Sequence, residues 1–106
     1  MKKYIITYDF RNSLLDYMPF YKALKVNMPE NKHILETAWV VNTDKTASEI
    51  VELLQPYLHS AHLSCDLLFV AEINKDNVGG RLAMPFWPFI TDKKKENDKE
   101  DKEKVG

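Results

Sequence analysis

Asp9 is the residue of this chain whose type and position best suit it to chemistry. It ends the run Lys3-Tyr4-Ile5-Ile6-Thr7-Tyr8-Asp9-Phe10, whose β-branched and aromatic residues predict a largely buried strand. A carboxylate at the end of such a strand lies at the rim of the sheet, where metals and phosphates commonly bind. The alternative is that Asp9 only caps the turn that follows.

A second set of candidate ligands has the spacing H-x-x-H-x-x-C and consists of His59, His62 and Cys65. Zinc would need a fourth ligand, and His33 is the only other histidine in the sequence. We interpret the two histidines as the end of a helix, where positive charge complements the helix dipole. Cys65 is interpreted as a small apolar residue rather than a nucleophile, because no histidine and acid are arranged around it.

Aromatic and basic side chains near the first strand are candidates for contact with nucleic acid. The aromatic residues that could stack on bases are Tyr4, Tyr8 and Trp39, although aromatic residues on strands more often form core. The cations that could contact phosphates are Lys2, Lys3, Arg11, Lys22 and Lys25, of which we select Arg11, Lys22 and Lys25. Two acids in predicted strands, Glu36 and Glu72, could join Asp9 in a metal cluster.

Charge is distributed unevenly along the 106 residues. Residues 91–106 carry six lysines and six acids with almost nothing to bury, so they predict a disordered charged tail. The remaining residues, 1–90, hold nine basic and ten acidic side chains. A dedicated nucleic-acid binder usually has a clear positive excess. Nucleic-acid binding would therefore need a local patch or a groove between two copies.

Composition also limits the cellular setting. No apolar run approaches the ~20 residues needed to span a membrane, and the start of the chain reaches Asp9 and Arg11 before any apolar signal-peptide core can form. The single cysteine cannot form an internal disulfide. We expect a cytoplasmic protein without a membrane partner.

The elements that must position Asp9 follow from periodicity and capping signals. A helix is predicted from Asp16, as the N-cap, to about Val26. The segment 33–43 has strand composition and forms either one strand or two strands hinged near Glu36-Thr37. Thr46-Ala47-Ser48-Glu49 is a capping box that begins a second helix, and Pro56 should weaken the last turn of that helix.

The last strand and the segment after it complete the predicted fold. Residues 66–73 are almost continuously apolar, which predicts a central strand. Pro85 and Pro88 exclude a central strand for residues 81–90, which we interpret as an extended segment or an edge strand. The order is β, α, β or ββ, α, β, and it predicts an α+β ferredoxin-like βαββαβ sandwich with two helices on one face of a mainly antiparallel sheet. A thioredoxin-like fold is disfavoured because no C-x-x-C is present.

The domain boundaries follow from the same sequence signals and charge distribution. Residues 1–90 are predicted to form one domain, with its core in 3–73 and a C-terminal extension in 81–90. Residues 91–106 form the predicted tail.

These segments resemble a known family. The strand that ends in Tyr8-Asp9, the Glu36-Thr37-Ala38-Trp39 segment, the capped second helix and the strand Leu67 to Ile73 together resemble the small CRISPR-associated ferredoxin-like endoribonucleases. The chain looks closer to their SinR-like relatives outside CRISPR loci, which have a YDL-type first strand and a similar E-S/T-x-W segment. The resemblance covers residues 3–73.

The resemblance implies a site and a partner. It makes Asp9 the candidate catalytic residue and metal ligand, placed at a homodimer interface where two copies hold Mg²⁺ or Mn²⁺ for cleavage of RNA or DNA. It also implies that Phe86 to Ile90 cross to the partner's sheet as a strand. Members with nuclease activity often carry paired arginines on the first helix, whereas this chain has Arg11 alone.

Two functions follow as expectations. The first is a nucleic-acid-associated homodimer that acts as a scaffold or as a metal-dependent hydrolase. The second is a non-catalytic interaction module with the same fold, such as a toxin–antitoxin or phage–host regulatory component.

Overall fold

The computed structural model describes residues 1–11, 16–59 and 65–92. In these residues four strands form one sheet: β1 (Lys2–Asp9), β2 (Asn31–Leu35), β3 (Ala38–Thr43) and β4 (Leu67–Glu72). Their order is β2-β3-β1-β4, and every neighbouring pair is antiparallel. The helices are α1 (Met18–Asn27), α2 (Ala47–Leu54) and α3 (Phe86–Thr91). This α+β arrangement confirms the predicted fold class, which is compatible with a ferredoxin-like sandwich.

One face of the sheet packs on α1 and α2 and forms the core. The alternation of β1 places Tyr4, Ile6 and Tyr8 on this face. The other core residues are Trp39 and Val41 of β3, Phe20 and Leu24 of α1, and Ile50 and Leu54 of α2. The expectation that the aromatic residues of the strands belong to the core is confirmed, so Tyr4, Tyr8 and Trp39 are not exposed for stacking on bases.

The segment 33–43 is divided between two strands. β2 and β3 meet at a turn of Glu36 and Thr37, and the pairing shifts between His33 and Leu35. The Tyr8 amide donates to the Thr37 carbonyl at 3.1 Å, and the Thr7 hydroxyl donates to the same oxygen at 2.9 Å. The turn is therefore fixed against the end of β1, beside Asp9.

The helix boundaries confirm one sequence signal and correct another. At α2 the predicted capping box is present, because the Glu49 amide donates to Thr46 Oγ1 and the Thr46 amide donates to Glu49 Oε1. A 3₁₀ turn, Gln55–Tyr57, follows α2 and contains Pro56. The prediction of Asp16 as the N-cap of α1 was wrong: Tyr17 has that place, and Asp16 instead accepts the amide of Met18 at 3.0 Å.

The prediction that the last strand is central was wrong. β4 lies at an edge of the sheet, beside β1. Its apolar character has another origin, because Leu68 and Val70 pack on the core while Leu67 and Phe69 point to the opposite face and stay exposed. β4 is therefore apolar on both faces because one face packs on the core and the other is an uncovered apolar surface. It is not buried on both sides.

The C-terminal segment is a short helix and not a strand, which corrects the prediction of an extended segment or edge strand. α3 follows Pro85, and Pro88 falls in its first turn, where amide groups have no helical acceptor and a proline costs nothing. Thr91 ends α3 and Asp92 forms ion pairs, so these two residues of the predicted tail belong to the described structure. Residues 93–106 lie outside the described residues.

The described helices are also short. None of the helices in residues 1–11, 16–59 and 65–92 has the length and apolar content required to cross a membrane.

Candidate functional site: the open face of the sheet

The face of the sheet opposite α1 and α2, here called the open face, carries the candidate site. On β1 it presents Lys3, Ile5, Thr7 and Asp9, the residues that alternate with the core residues. In the β1–β4 register, Thr7 lies opposite Phe69 and Asp9 lies opposite Leu67. Directly opposed residues share a face, so all of these side chains project from the same surface.

Asp9 lies at the carboxyl end of β1 and is accessible. Its Oδ2 accepts a hydrogen bond from Arg11 Nε at 3.0 Å, and 59% of the Asp9 side chain and 51% of the Arg11 side chain are exposed. Residues 12–15, which follow Arg11 in the chain, lie outside the described residues, so the alternative that Asp9 caps a turn stays open. The carboxylate that the sequence selected is thus exposed at the rim and held by one guanidinium.

The surroundings of Asp9 are apolar. Phe69 is 63% exposed and Leu67 is 47% exposed. A shallow depression of about 210 Å³ is lined by Thr7, Tyr8, Asp9, Leu67, Leu68 and Phe69. Exposed aromatic and aliphatic side chains in one patch are typical of a surface that contacts another molecule.

A single copy does not supply a metal cluster in the described part of the chain. Among residues 1–11, 16–59 and 65–92, no group of three or more His, Cys, Asp or Glu could hold a metal ion. Glu36 lies in the β2–β3 turn, and Glu72 lies opposite Tyr4, toward the other end of β1 from Asp9. Any further ligands for a metal at Asp9 would have to come from outside the described residues of one copy.

Asp66, which sequence reasoning missed, organises this end of the fold. Its buried carboxylate accepts hydrogen bonds from the Arg11 amide at 2.7 Å, the His59 amide at 2.8 Å and the Tyr17 hydroxyl at 2.8 Å. Burial alone would raise the pKa of Asp66, but these hydrogen bonds outweigh it, and the pKa lies below its ordinary value. Asp66 therefore holds the main chain at Arg11, two residues after Asp9. No local sequence pattern reveals this, because its donors are distant in sequence.

An aromatic stack lies beneath the Asp9 end of the sheet. Phe10 stacks on Tyr17 with ring centres 3.8 Å apart and on Tyr8 at 4.3 Å. The Tyr8 hydroxyl accepts a hydrogen bond from Trp39 Nε1 at 3.0 Å, and burial raises the pKa of Tyr8. Tyr8 and Trp39, two of the candidates for binding bases, instead pack and form a hydrogen bond beneath this end of the strand.

The three cations selected from the sequence have separate surroundings. Arg11 contacts Asp9 at the end of β1. Lys22 of α1 lines a groove with Tyr57, and the Lys25 ammonium lies 5.6 Å from the centre of a Trp39 ring on the helix-covered face. The structure therefore places Arg11 apart from the two lysines of α1.

The remaining candidate ligands lie near Asp66. The His59 amide donates to the Asp66 carboxylate, and the Cys65 thiol donates to the Asp66 carbonyl at 3.4 Å. Cys65 is exposed, and the interpretation of it as a small apolar residue and not a nucleophile stays a prediction. His62, the other member of the H-x-x-H-x-x-C spacing, lies outside the described residues.

The other end of the open face is covered by α3. Lys3 Nζ lies 2.9 Å from Asp92 Oδ1, and only 5% of the Lys3 side chain is exposed. Val40 of β3, whose neighbours Trp39 and Val41 face the core, is buried on this side, and so is Ile90 of α3. Sequence reasoning missed this arrangement because it assigned Asp92 to the tail.

No protein-family model matches this chain, and neither a curated protein nor a solved structure matches it. The functional argument therefore rests on the residues of the open face.

Proposed function

We propose that this protein is a nucleic-acid-associated homodimer in which the open faces of two copies meet near Asp9. The pair of Asp9 carboxylates would hold Mg²⁺ or Mn²⁺ and support weak cleavage of RNA or DNA. The observation that carries the proposal is the position of Asp9, an exposed carboxylate beside the exposed apolar side chains of Leu67 and Phe69.

The apolar patch supports self-association. Phe69 and Leu67 lie on a regular edge strand, and a symmetric contact would bury the same patch on both copies. Asp9 lies directly across from Leu67, so a contact centred on this patch would bring the two carboxylates toward each other. The second acid, which the described residues of one copy do not supply, would then come from the partner.

The donor set suits a hard divalent cation. Mg²⁺ and Mn²⁺ prefer carboxylate and water oxygens, and Mg²⁺ is often held by one or two carboxylates together with substrate phosphates. When bound, such a cation offsets phosphate charge and activates water. The role of the chain itself is to present Asp9. The hydrogen bond from the Arg11 amide to Asp66 supports the segment that follows Asp9.

Arg11 has a defined place in this proposal. Its guanidinium neutralises Asp9 in the single chain, and an ion pair between exposed side chains contributes only about 0–1 kcal/mol. A divalent cation can therefore displace Arg11 at small cost, which frees the guanidinium to contact a phosphate.

The test of catalysis is metal-dependent cleavage of labelled RNA and DNA by the full chain and by Asp9→Asn. We expect cleavage with Mn²⁺ or Mg²⁺ to disappear in Asp9→Asn, while the oligomeric state stays unchanged. Asp44→Asn, an exposed acid next to the N-terminus, is the matched control. Equal cleavage by the chain and Asp9→Asn would remove Asp9 from the mechanism.

The test of association is the mass in solution of Phe69→Glu. We expect this variant to be monomeric, because a charge in an apolar contact is unfavourable. Val26→Glu makes the same change at an exposed apolar residue of α1 and should leave the mass unchanged. A dimer that persists in Phe69→Glu would place the interface elsewhere.

The second candidate is a protein interaction module without catalysis. The Asp9–Arg11 ion pair favours it, since an acid that is already neutralised can serve as a polar rim for an apolar contact. A salt series with single- and double-stranded RNA and DNA separates the two functions, because only the nucleic-acid-associated protein should bind in a salt-sensitive way.

A further inference from the structure

Lys3 is a buried lysine whose charge is satisfied by α3. Its ammonium lies 2.9 Å from Asp92 Oδ1 and 4.8 Å from the centre of the Phe89 ring, and its side chain is 5% exposed. A buried ammonium is costly unless it is paired. The Lys3 hydrogen bond is the main cause that lowers the pKa of Asp92, which favours the charged carboxylate as the partner of Lys3.

Two further lysines converge on the same two groups. Lys75 Nζ lies 3.3 Å from Asp92 Oδ2, and Lys32 Nζ lies 5.9 Å from the Phe89 ring centre. Lys32 lies opposite Val40 in the β2–β3 register, which places it on the open face. Lysines from three parts of the fold therefore face one carboxylate and one aromatic ring of α3.

We propose that Lys3, Lys32 and Lys75 form a phosphate-binding surface for single-stranded nucleic acid, and that α3 covers its buried member, Lys3, with Asp92 and Phe89 as internal substitutes for the ligand. A nucleotide offers the same pair of groups, an anionic oxygen and the face of a ring. The inference rests on the proposed nucleic-acid role of the protein but does not require Asp9 or a metal.

α3 has the properties of a segment that can open locally and uncover Lys3. The helix has six residues, and Ile90 is its buried residue. Asp92 at its end is half-exposed and lies in the left-handed conformation with φ 60°, which a non-glycine residue adopts at some cost. Short segments with few buried contacts open locally at low free energy. Lifting α3 would leave Lys3 in need of another anion, which a phosphodiester supplies.

The surroundings set the expected strength of binding. Glu72 and Asp76 line the same cleft, of about 480 Å³, as Lys3 and Lys75. These acids oppose a polyanion, so we expect modest affinity with marked salt dependence. Lys3 lies toward the opposite end of β1 from Asp9, at a distance of about 20 Å along the strand, so the surface is separate from the proposed metal site.

The experiment measures binding of labelled oligo(dT) and oligo(U) by fluorescence anisotropy in EDTA at low salt. Asp92→Asn removes the internal anion, and Asp76→Asn is the control, because it makes the same charge change in the same cleft. We expect Asp92→Asn to bind at least about threefold more tightly than Asp76→Asn. Hydrogen exchange should be faster in peptides covering α3 in Asp92→Asn alone.

Lysine variants in the Asp92→Asn background test which cations are used. Lys3→Gln or Lys32→Gln should remove the gain, and each should lower the slope of log K against log salt by about one. Lys32 is exposed, so its variant tests the inference even if Lys3→Gln fails to fold. All variants keep the lysines at 93–95, so the contribution of these lysines to binding cancels when the variants are compared.

Two results would overturn the inference: equal binding by Asp92→Asn and Asp76→Asn, or a gain that survives Lys32→Gln. Asp9→Asn added to Asp92→Asn should bind as tightly as Asp92→Asn. Unchanged metal-dependent cleavage in this double variant, together with retained tight binding, would thus count against the proposed metal site alone.

Discussion

The two ends of the open face both carry an ion pair between a cation and an aspartate, but the pairs differ in burial. At one end Asp9 and Arg11 are 59% and 51% exposed. At the other end Lys3 is 5% exposed and its partner Asp92 is 50% exposed. An exposed pair contributes little and can exchange partners, whereas a buried cation depends on its partner.

This difference assigns different roles to similar chemistry. The Asp9 end is supported from beneath by hydrogen bonds to Asp66 and by the aromatic stack, and its carboxylate stays accessible. The Lys3 end is closed by a short helix that could open. A supported, accessible acid suits a binding or catalytic site, and a covered cation suits a regulated contact.

The largest effect is expected at the support of the Asp9 end. Asp66→Ala removes the acceptor shared by the amides of Arg11 and His59 and by the Tyr17 hydroxyl. We expect the free energy of unfolding to fall by about 3 kcal/mol, measured by urea denaturation. A loss below about 1 kcal/mol would show that this end does not depend on Asp66.

A smaller loss is expected at the Lys3 end. Asp92→Ala leaves the buried Lys3 ammonium without its closest carboxylate, which should cost about 1–2 kcal/mol, since Asp92 itself is half-exposed. The double variant with Lys3→Met should recover part of the loss, because it removes the unpaired charge. No recovery in urea denaturation would argue against a buried pair.

Acid should weaken both ends through Asp66 and Asp92. The pKa of each lies below the ordinary value of 3.8, so each contributes stability that is complete above that value and is lost as pH falls through the folded pKa. Urea midpoints should therefore drop below about pH 4, and the drop should be shallower in Asp66→Asn. An identical pH profile for that variant would contradict the assignment.

The smallest effect is expected for the exposed pair. Asp9→Asn should change the free energy of unfolding by about 0.5 kcal/mol or less, and the difference should vanish in high salt because an exposed pair is screened. Thermal unfolding at low and high salt measures it. A large loss that persists in salt would mean that Asp9 is structural and would remove the contrast between the two ends.

Local sequence signals predicted much of the architecture. The Thr46 to Glu49 capping box and the β-branched and aromatic composition of β1 depend on neighbouring residues, so their structures follow from short segments. Asp9 could be selected for the same reason, because it ends a recognisable strand. Asp66 could not, since its donors come from residues 11, 17 and 59 and meet only after folding.

The errors in β4 and in the C-terminal segment arose because composition does not show how distant segments surround a residue. An apolar run such as 67–70 reports how hydrophobic its residues are, but not whether another layer covers each face, so β4 was taken for a central strand. Prolines in 85–88 exclude a central strand but also suit the first turn of a helix, and composition does not choose between these outcomes.

Residues close in the chain specify the first strand and helix, the capped second helix, the strand after it and the acid at the end of β1, because each of these depends on local signals. Tertiary structure alone decided that Asp9 remains exposed beside Arg11 and Phe69, while Lys3 is buried beneath Asp92 and Phe89. Burial of a charge depends on which distant segments cover it, and that is settled only when the sheet and α3 come together.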